Sequence, residues 1–225
     1  TRKQVFDVIK TIPYNKNKGV EGIYGYSNDL VTLTGYKDKA LKWAFYLFDS
    51  GDRITLKGKG LEQRGAYDYI HFDQIAWYRK HSMEFTKQNG GKPLPSFGFF
   101  HIPFPEYTYA IHNDTRRVMK GNFGEEPYPP MLNSGLWSSM RELGDIQATF
   151  AGHDHDDDYA MSWNETFLCY GRFSGCDTVY NNLKPSGARV IELTEGEAGF
   201  RSWISIYGGE ITQNLKFPDD FQTSL

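Results

Sequence analysis

Apolar side chains alternate along residues 40–48 and predict the first clear strand of the chain. The repeat has a period of two and runs through Leu41, Trp43, Phe45 and Leu47. The residues between them are also largely apolar, which is typical of a strand buried on both faces of a sheet. The polar run at 49–52 ends this strand. An earlier aromatic and β-branched segment, residues 22–34, predicts one or two further strands.

Helical spacing begins near Asp73 and continues through four inward-facing positions, Ile75, Tyr78, Ser82 and Phe85. The Asn-Gly-Gly run at 89–91 favours the left-handed turn that ends a helix. An apolar strand at 96–102 follows and is stopped by two prolines. The same order then repeats, with a helix from a Ser134 cap to about Leu143 and a strand at 146–151.

Strands dominate the remaining sequence, at residues 166–173, 188–193 and 200–206. The last two are predicted to form a hairpin through the acidic, glycine-containing segment 195–199. Alternating strands and helices followed by antiparallel strands predict an α/β fold with a mixed sheet or a two-sheet sandwich. The sequence has no internal repeat or flexible linker, so we expect residues 1–225 to form a single domain.

The overall composition excludes several classes of protein. Of the 225 residues, 39% are hydrophobic and 16% aromatic, which excludes a disordered chain. The 25 Lys and Arg nearly balance the 28 Asp and Glu, giving a net charge of −3, so we expect no nucleic-acid partner. The longest apolar stretch, residues 43–48, is far shorter than the ~20 residues of a membrane span. We therefore expect no membrane partner.

Two observations bear on where the protein works. The sequence contains two cysteines, Cys169 and Cys176, and leaves open whether they form a disulfide. It begins at Thr1 with a charged run rather than with a signal peptide, so we expect an upstream part to have been removed. The compartment is unknown from these features, and export or a periplasmic location is only a hypothesis.

Three histidines follow the ends of predicted strands and are the first candidates for chemistry. His101 lies near the end of the predicted strand 96–102, and His153 and His155 follow the strand at 146–151. Open α/β sheets bind ligands beyond the carboxyl ends of their strands, so these rings are expected to share one crevice, and a metal is the simplest reason. The alternatives are a solvated turn for the pair and a hydrogen-bonded strand end for His101. The other histidines, at 71, 81 and 112, are interpreted as structural.

The run from Gly152 to Asp158 adds four aspartates to these two histidines. Their charge favours cations, and their oxygens are suited to hold the N–H groups of ligand imidazoles. The alternative interpretation is an acidic solvent-exposed loop or a helix cap.

Several short blocks, in this order, resemble one family. They are Phe-Phe-His-Ile-Pro at 99–103, Ser-Gly-Leu at 134–136, Ala-Gly-His-Asp-His at 151–155 and Tyr-Gly-Arg at 170–172. Together they resemble the calcineurin-like metallophosphoesterases, and within them the purple-acid-phosphatase-like branch. The resemblance runs from about residue 20 to residue 206. It implies a two-sheet αββα sandwich.

The resemblance also implies roles for the three histidines. His101 and His153 would share one metal ion, and His155 would bind its neighbour. Two transition metals, Fe, Mn or Zn, would then activate a bridging water against a phosphate ester of a small molecule or a protein. Tyr170 and Arg172 are candidate substrate-binding residues, with Arg172 on the phosphate. The alternative is that Tyr170 packs in the core and Arg172 pairs with a carboxylate.

Three blocks of the family are missing from this sequence: Asp-x-His, Gly-Asp-x-x-Asp and Gly-Asn-His followed by an acid. Gly51-Asp52 lacks the second aspartate, and Gly121-Asn122 is followed by Phe123. We therefore expect a carboxyl-terminal portion of a metallophosphoesterase domain, with a sandwich incomplete on its N-terminal side and a missing N-terminal segment as its partner. We assign no catalytic residue, and we expect partial or no metal occupancy and little or no phosphatase activity in this chain.

Other functions remain open from the sequence. A nucleotidase or phosphodiesterase of the same fold would differ only in the walls of its pocket. A non-catalytic carbohydrate- or ligand-binding module would use the many tyrosines and tryptophans for stacking. A degenerate relative would have lost the chemistry altogether.

Overall fold

The computed structural model describes residues 1–54, 66–113, 118–175 and 179–222, and the chain divides into two compact units. Unit 1 comprises Thr1–Pro105 and Pro129–Gln147, and unit 2 comprises Glu106–Tyr128 and Ala148–Leu225. That residues 1–225 form a single domain stays a prediction.

Helices and strands are both abundant, so the α/β class predicted from the sequence is confirmed. The helices are α1 (Arg2–Thr11), α2 (Phe72–Gln88), α3 (Glu106–Asn113) and α4 (Leu136–Leu143), and a 3₁₀ turn spans Asp219–Phe221. Over the residues that the structure describes, no helix has the length and apolarity to span a membrane. The strands are β1 (Asp29–Thr34), β2 (Leu41–Leu47), β3 (Arg53–Ile54), β4 (Ala66–Tyr67), β5 (Ser96–Phe99), β6 (Val118–Lys120), β7 (Ile146–Ala151), β8 (Ala160–Trp163), β9 (Thr166–Tyr170), β10 (Gly187–Glu192), β11 (Phe200–Ile206) and β12 (Ile211–Phe217).

Unit 1 is built on the predicted strand β2, which pairs with β1 in antiparallel and with β5 in parallel orientation. The predicted helix α2 covers this sheet. Its Trp77 and Tyr78 rings meet Tyr46 and Phe48 at steep angles, with ring centroids 4.8–5.9 Å apart. Edge-to-face aromatic contacts of this kind stabilise a core beyond the burial of their area. Of the segment predicted as one or two strands, only β1 is a strand, and residues 21–26 form turns and bends.

Helix α4 begins one residue later than the sequence predicted. Its N-cap is Gly135, which has the left-handed conformation φ 81°, ψ 21°, and Ser134 is not the cap. The side chain of Asn133 accepts the Gly135 N–H at 2.9 Å and so shapes the turn before the helix. The cap prediction was wrong because a glycine with positive φ can redirect the chain where serine would need an extended backbone.

A buried acid–phenol pair joins α2 to the segment before β7. The Tyr78 hydroxyl donates to Oδ1 of Asp145 at 2.5 Å, and Asp145 is 1% exposed. Burial raises the pKa of Asp145 above its usual value of 3.8, because the charged form is poorly solvated there. The folded state therefore keeps the Asp145 proton at pH values where the unfolded chain has lost it.

This pair predicts a pH dependence for unit 1. The stabilising contribution of protonated Asp145 is complete below about pH 4 and is lost as the pH rises through its raised pKa, at up to about 1.4 kcal/mol per pH unit. Asp145→Asn mimics the protonated form, so its free energy of unfolding should fall less with rising pH than that of the wild type. Urea denaturation at several pH values measures the two slopes. Asp38→Asn is the control, because Lys42 lowers the pKa of this exposed carboxyl, and equal slopes in wild type and Asp145→Asn would contradict the prediction.

Unit 2 contains two sheets that pack face to face. In the first, β7 is parallel to β9, and β8 is antiparallel to both β9 and β6. The second is the antiparallel sheet β10-β11-β12, which includes the predicted hairpin of β10 and β11. Phe167 of the first sheet contacts Phe200 and Phe217 of the second, with centroids 6.1 and 4.8 Å apart. The two-sheet sandwich expected from the sequence is therefore present in this unit.

Candidate functional site

The Gly-His-Asp-His run lies in unit 2, in the loop that leads from β7 to β8. A second segment of the same unit, residues 122–128, lies against this loop. The two segments pair at one isolated β-bridge between Phe123 and Asp157, and the Asp158 N–H donates to the Asn122 carbonyl at 3.0 Å. The loop is thus held by backbone contacts as well as by the side chains described next.

Asp154, between the two histidines, points into the protein and is 2% exposed. Its carboxylate accepts the hydroxyl of Tyr170 at 2.5 Å and the backbone N–H of Tyr128 at 3.2 and 3.3 Å. Burial raises the pKa of Asp154 to about 6, against the lowering effect of these hydrogen bonds. This aspartate therefore fastens the loop to β9 and to residue 128.

Asp157 is fully buried and bonds to the opposite segment. Its Oδ1 accepts the backbone N–H groups of Gly124 at 2.9 Å and Glu125 at 3.2 Å. A Cβ at Gly124 would lie 2.5 Å from the Asp156 carbonyl oxygen, so this close approach requires glycine. Burial raises the pKa of Asp157 to about 7, more than the two hydrogen bonds lower it.

Asp158 forms the buried ion pair of the loop. Its carboxylate contacts Nη1 of Arg172 at 2.7 Å and also accepts the Asn122 N–H at 2.9 Å and the Gln213 side chain at 2.5 Å. Burial alone would raise the pKa of Asp158, but these donors outweigh it, and the pKa is lowered. The neighbouring Asp156 accepts both the backbone N–H and the side-chain amide of Asn182 at 2.6 Å.

His155 is held in a defined orientation. Its Nδ1 lies 2.8 Å from the Tyr180 carbonyl oxygen, and its ring lies 4.6 Å from both the Tyr180 and the Phe173 rings. A carbonyl oxygen only accepts, so Nδ1 carries the proton, and Nε2 of the neutral ring is left as the basic nitrogen. A hydrogen bond from the other ring nitrogen is how proteins usually orient a metal-binding imidazole. The His155 ring therefore has the tautomer that a ligand needs.

The remaining candidate ligands lie in different units. His153 is half-buried at the start of the same loop as His155, directly after Gly152. His101 is exposed in unit 1, after β5, and its backbone N–H donates to the Ser50 hydroxyl at 3.2 Å. That His101 shares a crevice with the other two stays a prediction.

Among the residues that the structure describes, no group of three or more His, Cys, Asp or Glu side chains is arranged to hold a metal ion. The four loop aspartates are engaged in the contacts above. These residues alone do not fit a dinuclear centre, and no catalytic step is assigned to a metal.

Tyr170 and Arg172, the candidate substrate-binding residues, are both buried. Tyr170 bonds to Asp154, while Arg172 pairs with Asp158 and donates from Nε and Nη2 to the Pro185 carbonyl at 3.1 and 2.7 Å. These contacts match the structural alternative for the two residues. Their binding to substrate stays a prediction.

The other residues named in the sequence analysis have separate surroundings. His71 contacts the buried Asp68 at 3.0 Å, His81 contacts the Trp77 carbonyl, and His112 contacts Glu126. Cys169 is buried on β9, and Cys176 lies outside the described residues. The question of a disulfide between the two cysteines therefore stays open.

Two contributors to the loop were not predicted from the sequence. Gln213, on β12, donates to Asp158 from the second sheet. Glu125 accepts the Asp156 N–H at 2.8 Å and the Tyr180 hydroxyl at 3.0 and 2.9 Å. Neither belongs to a recognisable motif. Residues 122–125 pair with the loop and so bring Glu125 into place. The sequence contains no signal for this pairing.

Comparison with known proteins gives a consistent set of relatives, although no family model matches the chain. It is 28% identical over 186 residues to probable inactive purple acid phosphatase 29 of Arabidopsis thaliana, covering 76% of this chain and 46% of that protein. It is 30% identical over 190 residues to probable inactive purple acid phosphatase 14 of the same plant, covering 80% and 44%. It is also 25% identical to phosphatase DCR2 of Saccharomyces cerevisiae, covering 100% and 39%.

The chain therefore spans less than half the length of these curated relatives. Among solved structures, a single mutant of Vps29 from Entamoeba histolytica is similar at a TM-score of 0.27 and 12% identity, covering 76% of this chain and 98% of that chain. That similarity carries no argument about this chain. The resemblance identified from the sequence motifs is confirmed by the curated relatives.

Proposed function

We propose that this chain, a relative of the purple acid phosphatase-like proteins, contributes His101, His153 and His155 to the site of a phosphate-ester hydrolase. The chain by itself does not hydrolyse phosphate esters. The relatives support the reaction class, since their names are those of phosphatases and of probable inactive purple acid phosphatases. A small-molecule or protein phosphate ester is the proposed substrate of the whole protein, and Fe, Mn or Zn are its proposed metals.

The observation that carries the proposal is that the aspartates and the histidines of the loop have different roles. All four aspartates hold the loop through the hydrogen bonds and the ion pair described above, and His155 keeps its basic Nε2 through the bond from Nδ1 to the Tyr180 carbonyl. This orientation is the one that a metal-binding imidazole usually has, which supports a ligand role for His155. A complete site would in turn need the acids and the further histidine of the missing blocks.

The inactivity of the chain follows from these missing groups. The sequence lacks the Asp-x-His, Gly-Asp-x-x-Asp and Gly-Asn-His blocks, so it has neither the bridging carboxylate nor the catalytic histidine that these blocks supply. Catalysis by paired metals requires both ions to be held about 3.5–4 Å apart. Three imidazoles without a bridging acid are a poor set of ligands for that purpose.

A turnover assay tests the proposal. The 225-residue chain, with p-nitrophenyl phosphate and added Mn, Fe or Zn, should release p-nitrophenol no faster than the metal alone. A longer natural product of the same gene, if it is active, should lose at least about 100-fold in rate when His153 or His155 is replaced by alanine, as ligand loss removes the metal chemistry. His112→Ala is the matched control, since His112 contacts Glu126 at the surface of the same unit.

Two results would contradict the proposal. Turnover by the 225-residue chain at the rate of intact phosphatases would show that it carries a complete site. Equal rates for His155→Ala and His112→Ala in an active longer product would show that the loop is not part of the site.

A further inference from the structure

Helix α1 and its C-cap carry an apolar surface that no part of the proposed function uses. Its members recur at the spacing i, i+3, i+4 and i+7, which is typical of one face of a helix. They are Val5, Val8, Ile9 and Ile12, with exposed fractions of 59, 65, 39 and 53%. We call these four side chains the α1 stripe.

The helix is fixed to unit 1 through other residues. Nη2 of Arg2 lies 2.7 Å from Oδ1 of the buried Asp49. Among the ten residues of α1, all of which the structure describes, only Phe6 is buried. A helix on the surface of a globular protein normally turns its apolar face towards the core. The α1 stripe is left to solvent instead.

An exposed stripe of this kind is typical of an interaction surface. Single exposed apolar side chains are ordinary, whereas contiguous apolar patches commonly mark sites of association. The α1 stripe is contiguous because residues three and four apart are neighbours on a helix. Valine and isoleucine side chains have no hydrogen-bonding group, so the partner of the α1 stripe should be apolar.

The charges of α1 do not favour a lipid surface as that partner. Helices that lie on membranes present many lysines and arginines to the lipid head groups and insert tryptophan, phenylalanine or leucine. In α1 the two lysines share one carboxylate, since Nζ of Lys3 lies 2.7 Å and Nζ of Lys10 lies 3.0 Å from Asp7. Arg2 is paired with Asp49. The cations of this helix are therefore already neutralised within unit 1.

The size of the stripe argues against a second copy of the chain. A stable interface between separate proteins needs about 800 Å² and roughly 20–30 residues on each side. The four side chains of the α1 stripe supply far less than that. A segment of the same polypeptide is already held nearby, so a smaller contact is enough to keep it in place.

The curated relatives have the length for such a segment, because more than half of each lies outside its match to this chain. We propose that the α1 stripe is the docking surface for an apolar segment of the longer gene product, from the part that corresponds to this unmatched length. The proposal shares with the proposed function the premise of a longer product. It does not depend on phosphate-ester hydrolysis.

Labelling of introduced thiols with a maleimide tests the docking surface. Val8→Cys places a thiol in the α1 stripe, and Lys10→Cys places one on the charged side of the same helix as the control. Peptide mass spectrometry measures the labelling rate at each position in the 225-residue chain and in the longer gene product. Val8→Cys should react at least about tenfold more slowly in the longer product, because a covered thiol reacts only when its contact opens. Lys10→Cys should react at the same rate in both.

Several results would overturn the proposal. Equal labelling of Val8→Cys in both products, or a gene that encodes nothing beyond these 225 residues, would show that no such segment covers the stripe. Slower labelling of Val8→Cys in the 225-residue chain at high protein concentration would assign the stripe to a second copy. Slower labelling with phosphatidylserine vesicles would assign it to a membrane. Turnover by the chain alone would contradict the proposed function and leave these labelling rates untouched, so the two failures are distinguishable.

Discussion

Replacing Arg172 with alanine should lower the free energy of unfolding by about 3–5 kcal/mol, the usual cost of breaking a buried ion pair. Its guanidinium lies 2.7 Å from the Asp158 carboxylate, and the two side chains are 4% and 0% exposed. The substitution leaves that carboxylate buried without its cation and removes two further bonds to the Pro185 carbonyl. Urea denaturation followed by circular dichroism measures the loss.

Two other variants separate the ion pair from general effects of removing an arginine. Arg201 pairs with Glu192 at 3.0 Å on the surface, with 48% and 42% exposed side chains, so Arg201→Ala should cost less than about 1 kcal/mol. Arg172→Lys keeps the charge but lacks the planar fork that reaches both Asp158 and Pro185, so its loss should be intermediate. A similar, small loss for both alanine variants would contradict the structural role of Arg172 and favour its predicted role on a phosphate.

Truncating Phe217, which contacts the other sheet of unit 2, should lower the free energy of unfolding about as much as replacing Arg172. Phe217 is 1% exposed and stacks on Phe200 with centroids 4.2 Å apart, and its ring also lies 4.8 Å from Phe167 and from Phe221. Phe217→Ala would leave a cavity between sheets that cannot close completely. We expect a loss of about 3–5 kcal/mol in the free energy of unfolding.

Ile211→Ala provides the control on the same strand. Ile211 begins β12 and is 58% exposed, so its truncation should change the free energy of unfolding by no more than about 0.5 kcal/mol. Matched urea denaturation curves compare the two variants. If Phe217→Ala unfolds at the same urea concentration as Ile211→Ala, the second sheet does not stabilise unit 2 in the way described.

The elements with strong periodicity were predictable from the sequence. The alternation of β11 and the helical spacing of α2 come largely from side chains that the fold buries, so local pattern and tertiary packing agree there. In β2 the alternating set that predicted the strand is half-buried, and the fully buried side chains are Ala44 and Tyr46. Strand β12 was not predicted, because only Leu215 and Phe217 are buried along it and the other positions are polar or exposed. The short strands β6 and β8, of three and four residues, carry too few positions for a period to be recognised.

The candidate site was predictable only in part, for a related reason. The Gly-His-Asp-His block is contiguous, so the sequence reveals it, and together with the other short blocks it indicated the resemblance to purple acid phosphatases. The hydrogen bonds of the aspartates depend on partners far away in the chain, such as Tyr170 for Asp154 and Gln213 for Asp158. An aspartate run that attracts cations and one that bonds to its own scaffold have the same sequence, and only the fold distinguishes them.

Titration calorimetry with Zn²⁺ and Mn²⁺ measures how many metal ions the 225-residue chain holds. We predict fewer than one tightly bound ion per chain at micromolar metal, and any residual binding should disappear in the His153→Ala, His155→Ala double variant. His81→Ala serves as the control, because His81 lies on α2 and is not one of the candidate ligands. Two ions bound per chain at micromolar metal would show that the chain already forms a complete dinuclear centre and would contradict this prediction.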